Sequence, residues 1–177
     1  MPMQPQFFAV LAATACAMTV AGCARGPKDI KVVSVTEVDF KDEAQLKWSY
    51  LKPRPSILIS RIDFSTNKDL LRLAMKYRYN VSFMVGSCTR DGVKEAVRPY
   101  SGVYWGKLRI RYRVEDKELL GYAEAIAKGP PFTYQVYVDR LPPNPPGPMC
   151  FTLAGGTMFG GSLQSNDAVI PIGSSTP

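Results

Sequence analysis

The chain has 177 residues, of which 22 are lysine or arginine, 15 are aspartate or glutamate and none is histidine, so its formal net charge is +7. The absence of histidine removes the usual general base and the usual catalytic triads. The basic balance favours acidic partners, and the length suits one domain with its own core.

The chain begins with a short apolar segment. Residues 7–22 contain no charged side chain. This length suits the hydrophobic region of a signal peptide and is too short for a comfortable membrane span. The segment ends in Val20-Ala21-Gly22-Cys23. These four residues resemble the lipobox of bacterial lipoproteins.

The resemblance implies cleavage before Cys23, with diacylglycerol on its sulfur and an acyl chain on the new amino group. Residues 1–22 are then a signal peptide and residues 23–29 a lipidated tether. Each buried methylene contributes about 0.8 kcal/mol, so two or three acyl chains hold the protein on a membrane almost irreversibly. Ala24 stands where lipoproteins retained in the inner membrane carry aspartate, which implies the periplasmic face of the outer membrane. The alternative is an ordinary secretory signal with a chance cysteine.

The pattern of the body predicts strands joined by turns. Strands are predicted over 30–38, 46–50, 57–64, 81–86, 103–114, 119–127, 132–138, 149–153 and 168–172, and apolar residues alternate with polar ones most regularly over 46–50, 107–114 and 132–138. Such alternation is typical of strands, and we expect 103–114 and 119–127 to form a hairpin around 115–118. The prolines of 142–148 predict a stiff, extended loop.

One helix is predicted near 67–77. Leu70, Leu73, Ala74 and Tyr77 share a helical face. Thr66 or Asn67 is suited to cap this helix, with Asp69 in its first turn. Together these elements predict a mostly β domain over residues 30–172, a two-layer β-sandwich with one short helix, followed by a flexible tail at 173–177. An α+β fold is the alternative.

Two of the four cysteines predict a disulfide. Cys16 leaves with the signal peptide and Cys23 is acylated, so Cys88 and Cys150 remain. In an oxidising compartment two such cysteines pair, and this pair closes a loop of about 60 residues, worth roughly 4 kcal/mol. Two free buried thiols are the alternative. Neither a metal site nor a cofactor is predicted, because the two cysteines lack the spacing of zinc ligands.

A row of cations predicts the partner-binding site. Lys107, Arg109, Arg111 and Arg113 alternate with Leu108, Ile110, Tyr112 and Val114. On one strand the four cations would form a row about 20 Å long. In the expected hairpin Tyr122 faces Arg111, and Glu124 is the one acid opposite the row.

Arginine binds carboxylates with two hydrogen bonds and stacks on tyrosine. We therefore expect Lys107, Arg109, Arg111, Arg113 and Tyr122 to bind a protein with an acidic surface. The alternative is a solvated sheet face whose arginine stems cover apolar neighbours.

These features favour a non-enzymatic periplasmic lipoprotein that binds another protein. In size and β-rich character it resembles immunity or inhibitor lipoproteins, which neutralise a toxin or a hydrolase. One alternative is a structural or assembly accessory of the envelope or of a secretion system, docking through an exposed strand edge. Another is an enzyme of the cell wall or of lipids, which the missing histidine disfavours. The membrane is contacted through the acyl chains on Cys23, and no nucleic-acid partner is expected.

We expect Cys23→Ser to leave the protein unprocessed or soluble, because the acyl anchor cannot form on serine. Membrane fractionation and the mass of the amino-terminal peptide measure this. Cys16→Ser, within the signal peptide, is the matched control and keeps normal processing. Full recovery of processed Cys23→Ser protein in the outer membrane would contradict the lipobox interpretation.

Overall fold

The computed structural model describes residues 26–46, 56–94, 96–100, 102–157 and 161–172. The predicted signal peptide, Cys23, Ala24, most of the strand predicted at 46–50 and the tail at 173–177 lie outside these ranges. No helix within them is long and apolar enough to cross a membrane.

Strands are the main regular secondary structure of the described chain. They are β1 (Lys31–Asp39), β2 (Leu58–Thr66), β3 (Asn80–Thr89), β4 (Gly92–Lys94), β5 (Tyr104–Trp105), β6 (Leu108–Arg109), β7 (Phe132–Asp139), β8 (Met149–Gly156), β9 (Ser162–Gln164) and β10 (Ala168–Ile170). The α-helices are α1 (Leu70–Tyr77) and α2 (Asp116–Ala127), and a 3-10 turn covers Phe40–Asp42. The proline-rich segment 142–148 contains no helix or strand.

The strands form two antiparallel sheets, which confirms the mostly β, sandwich-like prediction. One sheet has the order β1-β2-β7-β5-β6, and the other has the order β10-β8-β3-β4 with β9 beside β8. In β3 residues 81, 83 and 85 are buried and residues 82 and 84 are exposed, which is the predicted alternation. A strand packed on one face produces this period of two.

Aromatic rings join the two sheets. Phe64 of β2 and Phe151 of β8 are both fully buried, and their ring centroids lie 4.7 Å apart. The edge strands β1 and β10 lie beside each other on one side of the sandwich. There the Asn166 side chain accepts from the Ile30 N–H at 2.9 Å and donates to the Ile30 carbonyl at 3.0 Å. This side of the sandwich is therefore closed.

The hairpin predicted around 115–118 is wrong. The chain turns instead between β5 and β6, where Gly106 has a φ of +54°, a conformation that favours glycine. The Ile110 N–H donates to the Val103 carbonyl at 2.8 Å and extends this short hairpin. Residues 119–127, predicted as a strand, and most of the predicted turn at 115–118 lie in α2.

Helical spacing explains why α2 forms. Leu119, Tyr122 and Ile126 recur at intervals of three and four residues and pack against the core. The Glu118 carboxylate accepts from the Glu115 N–H at 2.9 Å, which is half of a capping box. The strand prediction was wrong because residues 119–127 were interpreted as the second strand of a hairpin, although their apolar residues have helical spacing.

Asp69 caps α1, one position away from its predicted role. Its carboxylate accepts from the Arg72 N–H at 2.8 Å, so Asp69 is the N-cap and not a first-turn residue. The predicted caps, Thr66 and Asn67, precede it. The Asp29 carboxylate accepts from the Thr66 hydroxyl at 2.8 Å and the Asn67 N–H at 2.6 Å.

Part of the segment predicted as a tether, residues 23–29, packs against the domain. Gly26 and Pro27 are buried, and the Pro27 carbonyl accepts from the Asn166 N–H at 3.2 Å. A Cβ on Gly26 would lie 2.3 Å from the Gln164 carbonyl oxygen, so only glycine fits this approach. In the sequence only Ala24 and Arg25 lie between Cys23 and Gly26.

The predicted pairing of Cys88 with Cys150 is confirmed. Their sulfurs lie 2.11 Å apart and their Cα atoms 5.1 Å apart. Cys88 stands near the end of β3 and Cys150 near the start of β8, which are neighbours in one sheet. The bridge therefore reinforces the central ladder of that sheet.

We expect the double variant Cys88→Ala/Cys150→Ala to lower the free energy of unfolding. The bridge spans a sequence separation of 62 residues. Loop closure of that length contributes about 4 kcal/mol in the chain-entropy model. Urea denaturation of both proteins without reductant measures the difference. Alkylation of two thiols in the unreduced wild-type protein, detected by mass spectrometry, would contradict the pairing.

Candidate functional site: an arginine-lined groove at a sheet edge

The candidate site is a groove of about 400 Å³ between the start of β3 and the segment that follows β6. One wall is formed by residues 80–82 of β3. The facing wall carries Arg109, Arg111, Tyr112 and Arg113, and all four side chains are exposed. The groove thus lies between the edges of the two sheets, on the side opposite β1 and β10.

Strand lengths explain why this side is open. β4 pairs only with residues 87–89 of β3. β5 and β6 have two residues each, so their hairpin is short. Along residues 80–84 no strand of the described chain pairs with β3 on its outer side. The backbone edge of β3 is therefore exposed to the groove.

Arg111 has a partner within the protein. Its guanidinium lies 3.0 Å from the Glu118 carboxylate. The Glu115 N–H donates to the same carboxylate, and that bond together with Arg111 holds the pKa of Glu118 below its usual value of 4.5. Arg111 therefore supports the first turn of α2 as well as lining the groove.

Arg109 and Arg113 have no ion pair among the described residues. The Arg113 guanidinium lies over the Tyr112 ring, 5.7 Å from its centroid. The Arg109 side chain lies against Gly102, where an added Cβ would stand 2.9 Å from Nε. Glycine at 102 therefore leaves room for this arginine. The charges of Arg109 and Arg113 remain available to an external anion.

The structure brings together three of the five predicted partner-binding residues. Arg109, Arg111 and Arg113 line the groove, although only Arg109 lies on a strand. Lys107 is exposed in the turn between β5 and β6 and does not line the groove. The acid beside the row is Glu118, not Glu124 as expected from the hairpin.

Tyr122 does not face Arg111, because residues 119–127 are helical. Its side chain is 6% exposed, and its hydroxyl donates to the Asp69 carboxylate. Burial, followed by the nearby Tyr134 and Asp69, raises the pKa of Tyr122. Its ring meets Trp105 edge-on, with centroids 5.0 Å apart. Tyr122 thus joins α2 to α1 and to the sheet.

Sequence reasoning missed a second groove, which lies between α1 and α2. It has a volume of about 370 Å³ and is lined mainly by apolar side chains, among them Leu71, Met75, Leu119 and Ile126. The groove was missed because α2 was predicted as a strand. The spacing of Leu119, Tyr122 and Ile126 is the signal in the sequence that indicates it.

The arginine groove is suited to bind anions. Guanidinium groups form charge-assisted hydrogen bonds with carboxylates, often two at once. The side-chain amide of Asn80 adds a neutral donor to the facing wall, whereas the Ser82 hydroxyl already donates to the Ala154 carbonyl at 3.1 Å. Within the described ranges no group of three or more metal-ligating side chains comes together.

No protein family model matches this chain, and no curated protein or solved structure is significantly similar to it.

We expect Arg111→Gln to raise the pKa of Glu118 part of the way towards 4.5, since the Glu115 N–H still holds the carboxylate. A carboxyl whose pKa is lowered by folding stabilises the fold above its unfolded pKa and loses that effect as pH falls through the folded pKa. The start of α2 should therefore loosen at a higher pH in the variant. Carbon-detected NMR titration of Glu118 measures this. Arg113→Gln is the control, and an equal shift there would contradict the assignment.

Proposed function

We propose that this protein is a non-enzymatic lipoprotein of the bacterial envelope that binds another protein through the arginine groove. In this proposal the acyl chains on Cys23 hold it at the periplasmic face of the outer membrane. The observation that carries the proposal is the pair Arg109 and Arg113, exposed in one groove without an ion pair among the described residues.

Electrostatics supports an acidic partner. Three guanidinium groups along one groove repel one another, and within the described chain Glu118 alone forms an ion pair with them. A partner that places carboxylates in the groove removes this repulsion and gains charge-assisted hydrogen bonds. An excess of positive charge over the whole chain also speeds the approach of an acidic surface.

Among protein-binding roles we favour immunity or inhibition of a toxin or hydrolase. A compact domain with a disulfide suits an oxidising compartment where such enzymes arrive. The second candidate is an assembly accessory of the envelope or of a secretion system, and the open edge of β3 favours it, because strand edges recruit extended segments.

Deletion of the gene in its own bacterium separates these two roles. An immunity role predicts that deleted cells are killed by the parent strain in mixed culture and are protected by a plasmid copy. An assembly role predicts an envelope or secretion defect in pure culture, without killing by the parent. Normal growth, secretion and survival in both cultures would contradict both roles.

We expect Arg109→Glu/Arg113→Glu to weaken binding of an acidic protein partner by about tenfold or more, because attraction becomes repulsion. The fold should persist, since changes on an exposed face alter stability by about 0.5 kcal/mol. Calorimetry with the partner recovered from periplasmic extract, at low and high salt, measures the affinity. Wild-type affinity should fall with salt.

The matched control is Arg90→Glu/Lys94→Glu. It changes the net charge equally but lies towards the far end of β3, where Lys94 pairs with Ser87, about 20 Å from Val81 along the strand, and Arg90 lies about 30 Å away. Its affinity should stay close to that of the wild type. An equal loss of affinity in both variants would show that net charge alone causes the effect. An unchanged affinity in a folded Arg109→Glu/Arg113→Glu protein would show that the groove is not part of the binding surface.

A further inference from the structure

We propose that the partner enters the arginine groove as an extended acidic segment that adds a strand to the open edge of β3. This inference rests on the proposed function and specifies the form of the partner. It is carried by two independent observations at one place, namely the direction of the backbone groups of β3 and the charges on the facing wall.

The ladder between β3 and β8 fixes the direction of these backbone groups. The Cys88 N–H donates to the Pro148 carbonyl at 3.0 Å, and the register continues from there to residue 80. In an antiparallel ladder, hydrogen-bonded residues alternate with residues whose backbone groups point to the other side. The N–H and C=O groups of Val81 and Phe83 therefore point away from β8, to the side of the groove.

Farther along the same edge of β3, other segments of the protein form hydrogen bonds with the outward backbone groups. The Val85 carbonyl accepts from the Val97 N–H at 2.7 Å, and β4 covers residues 87–89. Within the described chain no hydrogen bond reaches the outward groups of Val81 or Phe83. Val81 is 7% exposed and still lines the groove. Backbone groups in such a place require a partner, and an added strand supplies both a donor and an acceptor.

The size of the groove fits a short strand. A strand rises about 3.3 Å per residue, lies about 4.8 Å from its neighbour and belongs to a layer about 10 Å thick, or roughly 160 Å³ per residue. The groove of about 400 Å³ thus holds roughly two to three extended residues. This matches the three residues of β3 that line the groove, Asn80, Val81 and Ser82.

The charges of the facing wall specify which segment binds. Alternate side chains of an added strand lie on one face, about 6.6 Å apart. Carboxylates at these positions lie within reach of Arg109 and Arg113, whose charges the described chain does not neutralise. A basic segment in the same place meets three arginines and is repelled. Backbone bonding thus provides the docking mode, and the arginines provide selectivity.

The test uses full-length protein in mild detergent and an eight-residue peptide, blocked at both ends, in which glutamate and valine alternate. The same peptide with lysine in place of glutamate is the matched control. We expect the acidic peptide to bind and to slow hydrogen exchange at the Val81 amide at least tenfold, measured by NMR. The Ser82 amide, which faces β8, should keep its rate, and the lysine peptide should leave both rates unchanged.

Arg109→Gln/Arg113→Gln should lower the affinity for the acidic peptide about tenfold. It should leave the hydrogen-exchange rate of the Val81 amide in the free protein unchanged. Binding of the acidic peptide without protection of Val81 would overturn strand addition, and so would equal binding of the lysine peptide or no binding of either. If strand addition is overturned but Arg109→Glu/Arg113→Glu still loses affinity for the protein partner, the proposed function is kept and only the mode of docking is rejected. If the peptide protects Val81 but the reversal variant keeps its partner, the docking mode stands and the partner binds elsewhere.

Discussion

The packing of Phe64 against Phe151 is the contact on which the arrangement depends, because it joins the two sheets at their centre. The two sides of the sandwich where the edges of the sheets face each other differ in whether they are closed. At β1 and β10 the sheets meet, and Asn166 replaces the missing ladder by bonding both backbone groups of Ile30. On the opposite side β4, β5 and β6 are too short to close the gap between the two sheets. The groove is therefore a consequence of unequal strand lengths on two well-packed layers.

The helices hold the arginine wall in place. Tyr134 of β7 accepts from the Leu70 N–H at 2.9 Å, and the hydroxyls of Tyr122 and Tyr134 lie 3.3 Å apart. With the Asp69 cap, these bonds tie α1 and α2 to one sheet. The segment between β6 and α2 is thus anchored at both ends, and Arg111 adds a third attachment through Glu118. A wall held in this way loses little conformational entropy when it binds a partner.

The sequence predicted the longer strands and α1, because each buries one face and shows the matching period. The same reasoning found the pairing of Cys88 with Cys150. It failed at residues 116–127, where Leu119, Tyr122 and Ile126 fit a helix while shorter stretches fit a strand. Local alternation does not reveal whether a neighbouring strand exists, and only a neighbour makes a strand stable.

The candidate site was likewise predicted only in part from the sequence. The exposure of Arg109 and Arg111 followed from alternation with Leu108 and Ile110, both of which are buried, but the alternation fails at Tyr112, which is exposed. The groove itself did not follow from the alternation, because it depends on where β3 stands relative to β6, and that distance is set by packing between sheets. The hydrogen-bond partners of Tyr122, Asp69 at the start of α1 and Tyr134 of β7, could not be predicted either, because they are distant in the sequence.

An unpaired strand edge is also a route to self-association, since two copies of one edge complement each other's hydrogen bonds. In this protein, joining two β3 edges would bring the arginines of both grooves together in a confined space, with Glu118 of each copy already engaged. Their mutual repulsion opposes such pairing. The cations that line the groove therefore also oppose the edge-to-edge association of two copies.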